Sequence, residues 1–110
     1  MGKRKGSHFE SIVASRYRRG GYKVRKHYIT KNRKEIDILA RKGKNKPLAI
    51  EAKAGKQVIT SSVVKAIYEK AKTAKAKPVI VRGPRTKLTK EVHKLSEKLK
   101  VKIKALKFNR

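Results

Sequence analysis

Apolar residues recur along this chain with the periods of helices and strands. Residues 7–19 place apolar side chains at helical spacing between a Ser-x-x-Glu start and a Gly-Gly end. They predict a first helix that opens with a capping box. Three extended runs, separated by short turn-like segments, then predict an antiparallel meander; they cover residues 22–29, 35–41 and 47–53.

The second half of the chain predicts helices that alternate with strands. Apolar positions at helical spacing indicate a helix over 60–76 that packs on the sheet. The short apolar run at 78–81 is bounded by prolines and is typical of a buried strand. Because a helix connects it to the preceding strand, we expect parallel pairing. A last helix over 86–100 and a strand over 101–106 complete the order αβββαβαβ.

The length of the chain indicates one domain. At 110 residues it is shorter than the roughly 150 residues usual for a domain, so we expect one modest core over 1–110. The fold class predicted is α/β, with a mixed central sheet flanked by helices. Residues 1–6 and 108–110 are expected to be flexible.

The net charge of the chain indicates which class of molecule it binds. The chain has 34 Lys and Arg against 7 Asp and Glu, a net charge of +27. Self-repulsion on that scale is tolerated chiefly where a polyanion supplies counter-charge, which indicates a nucleic acid. No apolar run approaches the roughly 20 residues of a spanning helix, so we expect a cytoplasmic, nucleoid-associated protein without a membrane partner. The absence of Cys and the scattered His residues, expected at the surface, exclude zinc-finger classes.

The scarce acidic residues are the best candidates for chemistry. Glu35 and Asp37 fall on the second predicted strand, and Glu51 falls on the third. In Glu51-Ala52-Lys53 the alternation of a strand puts Glu51 and Lys53 on one face, where Asp37 can lie beside them. Two carboxylates within about 4 Å raise each other's pKa unless a divalent cation lies between them. Hard oxygen ligands suit Mg²⁺ or Mn²⁺, so the sequence predicts a metal site.

The pattern of Asp37 followed by Glu51-x-Lys53 resembles the PD-(D/E)XK nuclease superfamily. The resemblance covers most of the chain and implies a restriction-endonuclease-like αβββαβ core. Among small members, length and element order are most similar to the archaeal Holliday junction resolvases, basic homodimers that cut four-way DNA junctions. Those enzymes usually approach the metal-binding Asp through a Pro-containing segment. Here the approach reads TKNRKEI, which is closer to a group of small bacterial nuclease-like proteins.

The resemblance implies a metal-dependent endonuclease of branched DNA. Its catalytic residues would be Glu10, Asp37, Glu51 and Lys53. Mg²⁺, with Mn²⁺ as a substitute, would be held by Asp37, Glu51 and the backbone carbonyl of Ala52, and Glu10 would contribute through water. Lys53 would orient or deprotonate the attacking water, and the products would carry a 5′-phosphate and a 3′-hydroxyl. Glu10 is explained equally well as a member of the capping box.

DNA contacts and two rival functions complete the sequence-based expectations. The DNA-binding candidates are Lys3, Arg4, Lys5, Tyr28, Thr30, Lys31, Arg33, Lys34, Lys56 and Gln57. Glu35 is either a secondary metal ligand or a partner for a nearby Lys. One rival function is a restriction-like or repair nuclease that acts on flaps, ends or damaged DNA. The other is a non-enzymatic basic nucleic-acid-binding protein, in which the acids form only cross-strand salt bridges.

Overall fold

The structure, a computed structural model, describes residues 5–106, with the backbone alone for residues 5–7. Its elements in chain order are α1 (Lys5–Arg19), β1 (Lys23–Ile29), β2 (Glu35–Arg41), β3 (Leu48–Lys53), β4 (Val58–Ile59), α2 (Ser61–Thr73), β5 (Lys77–Arg82), β6 (Lys87–Leu88), α3 (Lys90–Leu99) and β7 (Lys102–Ala105). Of the segments predicted to be flexible, 108–110 and residues 1–4 lie outside the described residues. Residues 5 and 6 instead belong to α1.

Five strands form one mixed sheet in the order β1-β2-β3-β5-β7. The first two pairings are antiparallel, as the meander predicts, and the pairings β3–β5 and β5–β7 are parallel. Helix α1 packs on one face of the sheet, and α2 and α3 pack on the other. This architecture confirms the predicted α/β class with a mixed sheet flanked by helices. Within residues 5–106 no helix is long and apolar enough to cross a membrane.

Strand alternation divides the core into two layers. In β3, Ile50 packs in the cluster that contains α1, whereas Ala49 packs with α2. In β5, Val79 and Ile80 also separate to opposite faces, and both are buried. A central parallel strand covered on both faces needs apolar residues at successive positions, which explains the continuous run in β5. Full burial of each such side chain stabilises the fold by roughly 1.5–3 kcal/mol.

The start of α1 differs from the prediction. The helix begins at Lys5, so Ser7 and Glu10 lie inside it and the Ser-x-x-Glu sequence does not mark its beginning. Glu10 is 8% exposed and contacts another side chain, described below. Because the helix begins before Ser7, Glu10 is not at the third helical position and the capping box does not explain it.

The chain around Thr86 also differs from the prediction, because α3 begins at Lys90 rather than at residue 86. Thr86 is 1% exposed, and its hydroxyl donates a hydrogen bond to the carbonyl of Gly55 at 2.8 Å. Strands β4 and β6 pair in parallel beside this contact. Each has two residues, too few for a period to be recognised in the sequence, and neither was predicted.

Candidate active site

Asp37 lies where β2 and β3 separate. The last paired positions of these strands are Ile38 and Ile50, so Asp37 and Glu51 come one residue beyond them. There the Asp37 Oδ2 accepts a hydrogen bond from the backbone N–H of Ala52 at 3.0 Å. A side chain thus replaces the missing backbone partner. Because the N–H and C=O of a strand residue project to the same side, the carbonyl of Ala52 is directed to the same edge of β3 as its N–H.

Glu51 is held between two lysines. Its Oε2 lies 3.4 Å from the Lys53 Nζ, which confirms that these two residues share a face of β3. Its Oε1 lies 3.9 Å from the Nζ of Lys70 on α2. The Glu51 side chain is only 13% exposed. Among the described residues, its buried Oε1 has no hydrogen-bond partner. Lys70 was not predicted, since one Lys among many on a helix carries no sequence signal.

The surroundings of Glu51 favour the neutral, protonated form of its carboxyl group. Burial raises the pKa of this carboxyl, and the nearby Asp37 carboxylate raises it further, whereas Lys70 and Lys53 lower it without offsetting both effects. A divalent cation would relieve the desolvation and the carboxylate repulsion together. Over residues 5–106 no three His, Asp or Glu side chains form a group suited to a metal. Mg²⁺ commonly uses one or two carboxylates and completes its shell with waters and substrate phosphates, so this donor set fits it.

Replacing Lys70 with Met is expected to raise the pKa of Glu51 further. The substitution keeps the length and apolar stem of the side chain but removes the cation that lies 3.9 Å from Oε1. An NMR titration of the Glu51 carboxyl carbon measures the change. Lys65→Met is the matched control, because Lys65 is exposed on the same helix. An unchanged pKa of Glu51 in the Lys70→Met variant would contradict the contact between the Lys70 Nζ and the Glu51 Oε1.

His27 joins the other two acids, a role that its isolated position in the sequence did not suggest. Its Nδ1 is hydrogen-bonded to the Glu35 Oε2 at 2.6 Å, and its Nε2 lies 3.6 Å from the Glu10 Oε1. His27 thus lies between Glu10 and Glu35, whereas Asp37 acts on Glu51. Glu35 contacts a histidine, which the sequence did not suggest. His27 is indeed partly exposed, but it is more than a surface residue.

The paired strands β1 and β2 reverse the faces on which their side chains lie at His27 and Asp37. Ile38 packs toward α1, but Ile36, two residues away, packs in the opposite core cluster. The same reversal separates Val24 from Tyr28 on β1. His27 has a left-handed φ of 54°, a conformation that costs non-glycine residues energy and persists where contacts hold it. The two Glu contacts of His27 supply that restraint.

The DNA-binding candidates fall into three groups. Lys31, Arg33 and Lys34 are exposed in the turn between β1 and β2, and Lys56 and Gln57 are exposed after β3. Two candidates are less available than predicted, because each takes part in packing. Thr30 is buried, and its hydroxyl oxygen accepts a hydrogen bond from the Lys34 N–H at 3.0 Å. Tyr28 packs against the core with Arg25 over its ring. Lys3, Arg4 and the side chain of Lys5 lie outside the described part.

Solved structures with the same fold include endonucleases. A protein of unknown function superposes with a TM-score of 0.73 at 18% identity, over 93% of this chain and 59% of that one. A repair endonuclease from Pyrococcus abyssi gives 0.69 at 14%, over 97% and 50%. EndoMS, in a structure described as an EndoMS–dsDNA2 complex, gives 0.72 at 15%, over 100% and 48%. The chain thus spans about half the length of these proteins, and the likeness establishes a shared fold.

The sequence comparisons place the chain in a family whose description gives no function. No curated protein matches it. One family model, described as "Domain of unknown function (DUF4143)", matches residues 5–104. This match covers nearly the whole chain, and the protein therefore belongs to the DUF4143 family.

Proposed function

We propose that this protein is a metal-dependent endonuclease that hydrolyses phosphodiester bonds in DNA. The observation that carries the proposal is the grouping of Asp37, Glu51 and Lys53 at the separating ends of β2 and β3. A salt bridge alone does not explain this grouping, since the buried Glu51 Oε1 has no hydrogen-bond partner among the described residues. The net charge of +27 and the fold shared with endonucleases support the same conclusion.

Each residue of the site has its own role in the proposed hydrolysis. Asp37, Glu51 and the carbonyl of Ala52 would hold Mg²⁺, with Mn²⁺ as a substitute. When bound, the ion supplies positive charge at the phosphate oxygens and lowers the pKa of water. Lys53 lies beside Glu51 and orients the water that attacks phosphorus, while its ammonium stabilises charge that develops on the phosphate. The bond from phosphorus to the 3′-oxygen breaks, which leaves a 5′-phosphate and a 3′-hydroxyl after that oxygen gains a proton.

Glu10 has an indirect role in the proposed mechanism. It is buried on α1 and contacts His27, whose backbone lies at the same level of the paired strands β1 and β2 as Asp37. A contribution to metal binding through water remains part of the proposal. The described contacts favour, in addition, a role in fixing the strand segment that carries Asp37.

Two substrate classes follow from different observations. The sequence resemblance to junction resolvases favours branched DNA, and symmetric cleavage of a four-way junction needs two sites and hence a homodimer. The solved structures described as a repair endonuclease and as an EndoMS–dsDNA2 complex favour a repair role on duplex DNA. Light scattering of the purified protein tests the homodimer.

One assay tests the proposed function and separates the substrate classes. Purified protein is incubated with labelled four-way junction, flap, linear duplex and single strand, with Mg²⁺ or with EDTA. We expect cleavage with Mg²⁺, products with a 5′-phosphate, and no cleavage in EDTA. Preference for the junction supports the resolvase function, and preference for the other DNAs supports a repair function. If no DNA is cut, the proposal is wrong, and binding without cleavage supports the non-enzymatic nucleic-acid-binding alternative.

A further inference from the structure

A cleft of about 540 Å³ opens beside the candidate active site, lined by Ala54, Gly55, Lys56, Gln57 and Arg85. We name it the Arg85 cleft. It begins at the residue that follows Lys53, beyond the carboxyl ends of the parallel strands β3 and β5. Ligands of open α/β sheets commonly bind beyond the carboxyl ends of the strands.

Hydrogen bonds fasten the loop after β3 to the loop after β5, and these two loops form the Arg85 cleft. The Gly83 N–H donates to the carbonyl of Lys53 at 2.9 Å, and the buried Thr86 hydroxyl donates to the carbonyl of Gly55 at 2.8 Å. The Arg82 guanidinium in turn donates to the carbonyl of Thr86 at 2.8 Å. The carbonyl that receives the first of these bonds belongs to the catalytic candidate Lys53. The wall that carries Arg85 is therefore fixed relative to the catalytic residues.

The lining of the Arg85 cleft suits an anion. Its charged side chains are Lys56 and Arg85, both exposed, and no acidic residue lines it. Gly55 has a left-handed φ of +72°, and the space beside its Cα is open, since a Cβ placed there would meet no atom within 4 Å. Arg presents a planar fork of donors that matches phosphate oxygens, and Lys adds a point charge. Phosphate is the anionic group that a nucleic acid repeats along its backbone.

We infer that the Arg85 cleft binds a backbone phosphate of the DNA strand that is cut, next to the scissile phosphate. The inference rests on the proposed function and names where its substrate continues beyond Lys53. A strand residue advances about 3.3 Å, so Lys56 lies no more than about 10 Å along the chain from Lys53.

Binding in EDTA tests the inference without any dependence on cleavage. The dissociation constant for a fluorescein-labelled linear duplex of mixed sequence is measured over a series of salt concentrations. Loss of one phosphate contact reduces the slope of log K against log salt by about 0.9. We expect a smaller slope for Arg85→Gln and for Lys56→Gln, and the full reduction of about 0.9 for the double variant, which loses the whole phosphate contact. Arg85→Lys keeps the charge and is expected to retain the wild-type slope with a weaker affinity, since the fork is lost.

Arg41→Gln is the matched control, because Arg41 is exposed at the end of β2 away from Asp37. It removes the same charge and is expected to leave the slope unchanged. The inference is overturned if Arg85→Gln keeps the wild-type slope, or if Arg41→Gln reduces it equally. The outcomes also separate the two proposals. A protein that cuts no DNA but loses slope in Arg85→Gln retains the phosphate site without the nuclease, and one that cuts DNA with an unchanged slope retains the nuclease without this site.

Discussion

Replacing Asp37 with Asn is expected to reduce DNA cleavage at least about 100-fold, the usual scale for removing one group that stabilises a charged transition state. The amide oxygen of Asn can still accept the hydrogen bond that Asp37 receives from the Ala52 N–H. The fold at the ends of β2 and β3 is therefore retained, while the charge that would hold Mg²⁺ is lost. Single-turnover cleavage of the preferred DNA measures the effect.

DNA binding should survive the Asp37→Asn substitution, because affinity comes from phosphate contacts made by Lys and Arg elsewhere. Glu97→Gln is the matched control, since Glu97 is exposed on α3 and is expected to leave cleavage unchanged. Cleavage at the wild-type rate by Asp37→Asn would refute the proposed active site. Parallel loss of binding and of the circular dichroism signal would instead show that Asp37 acts only in folding.

Replacing Glu51 with Gln is expected to reduce DNA cleavage to the same extent as Asp37→Asn and to stabilise the metal-free protein near neutral pH. Burial and the neighbouring Asp37 raise the pKa of Glu51 above its ordinary value of 4.5. The carboxyl is thus harder to ionise in the folded state than in the unfolded state. Its contribution to stability is full below pH 4.5 and is lost as the pH rises through the raised pKa. Gln does not ionise and avoids this loss.

Urea unfolding of the metal-free proteins between pH 4 and pH 8 measures this effect. The stability of Glu51→Gln relative to wild type should increase with pH, whereas Glu69→Gln, an exposed change on α2, should show no such trend. Mg²⁺ should reverse the order, because an ion present at 100 times its Kd stabilises the protein that binds it by about 2.7 kcal/mol. Equal stabilisation of both proteins by Mg²⁺ would exclude Glu51 as a ligand.

The sequence predicted most of the sheet because its strands are short alternating or apolar runs bounded by turn-like segments. The pairing of Glu51 with Lys53 on one face of β3 required only the two-residue period, and the distance of 3.4 Å confirms it. The helix crossover similarly predicted the parallel pairing of β3 with β5. Nothing in either prediction depends on side chains that are distant in sequence.

Predictions that assumed regular alternation throughout were less accurate. At the reversal at His27 and Asp37, Glu35 contacts His27. A left-handed residue inside a strand has no signature in composition or period. Thr86 was assigned to a helix for a related reason, since its burial depends on a hydrogen bond to Gly55, 31 residues away. Such contacts are properties of the assembled fold.

The small parallel sheet of β4 and β6 has a dynamic consequence. It joins the loop after β3 to the loop after β5 through the hydrogen bonds from Lys87 to Gln57 and from Thr89 to Ile59. Neither loop can unfold locally without breaking the hydrogen bonds that join it to the other loop. They therefore form one cooperative unit of local unfolding. A phosphate that immobilises either loop lowers the opening rate of both.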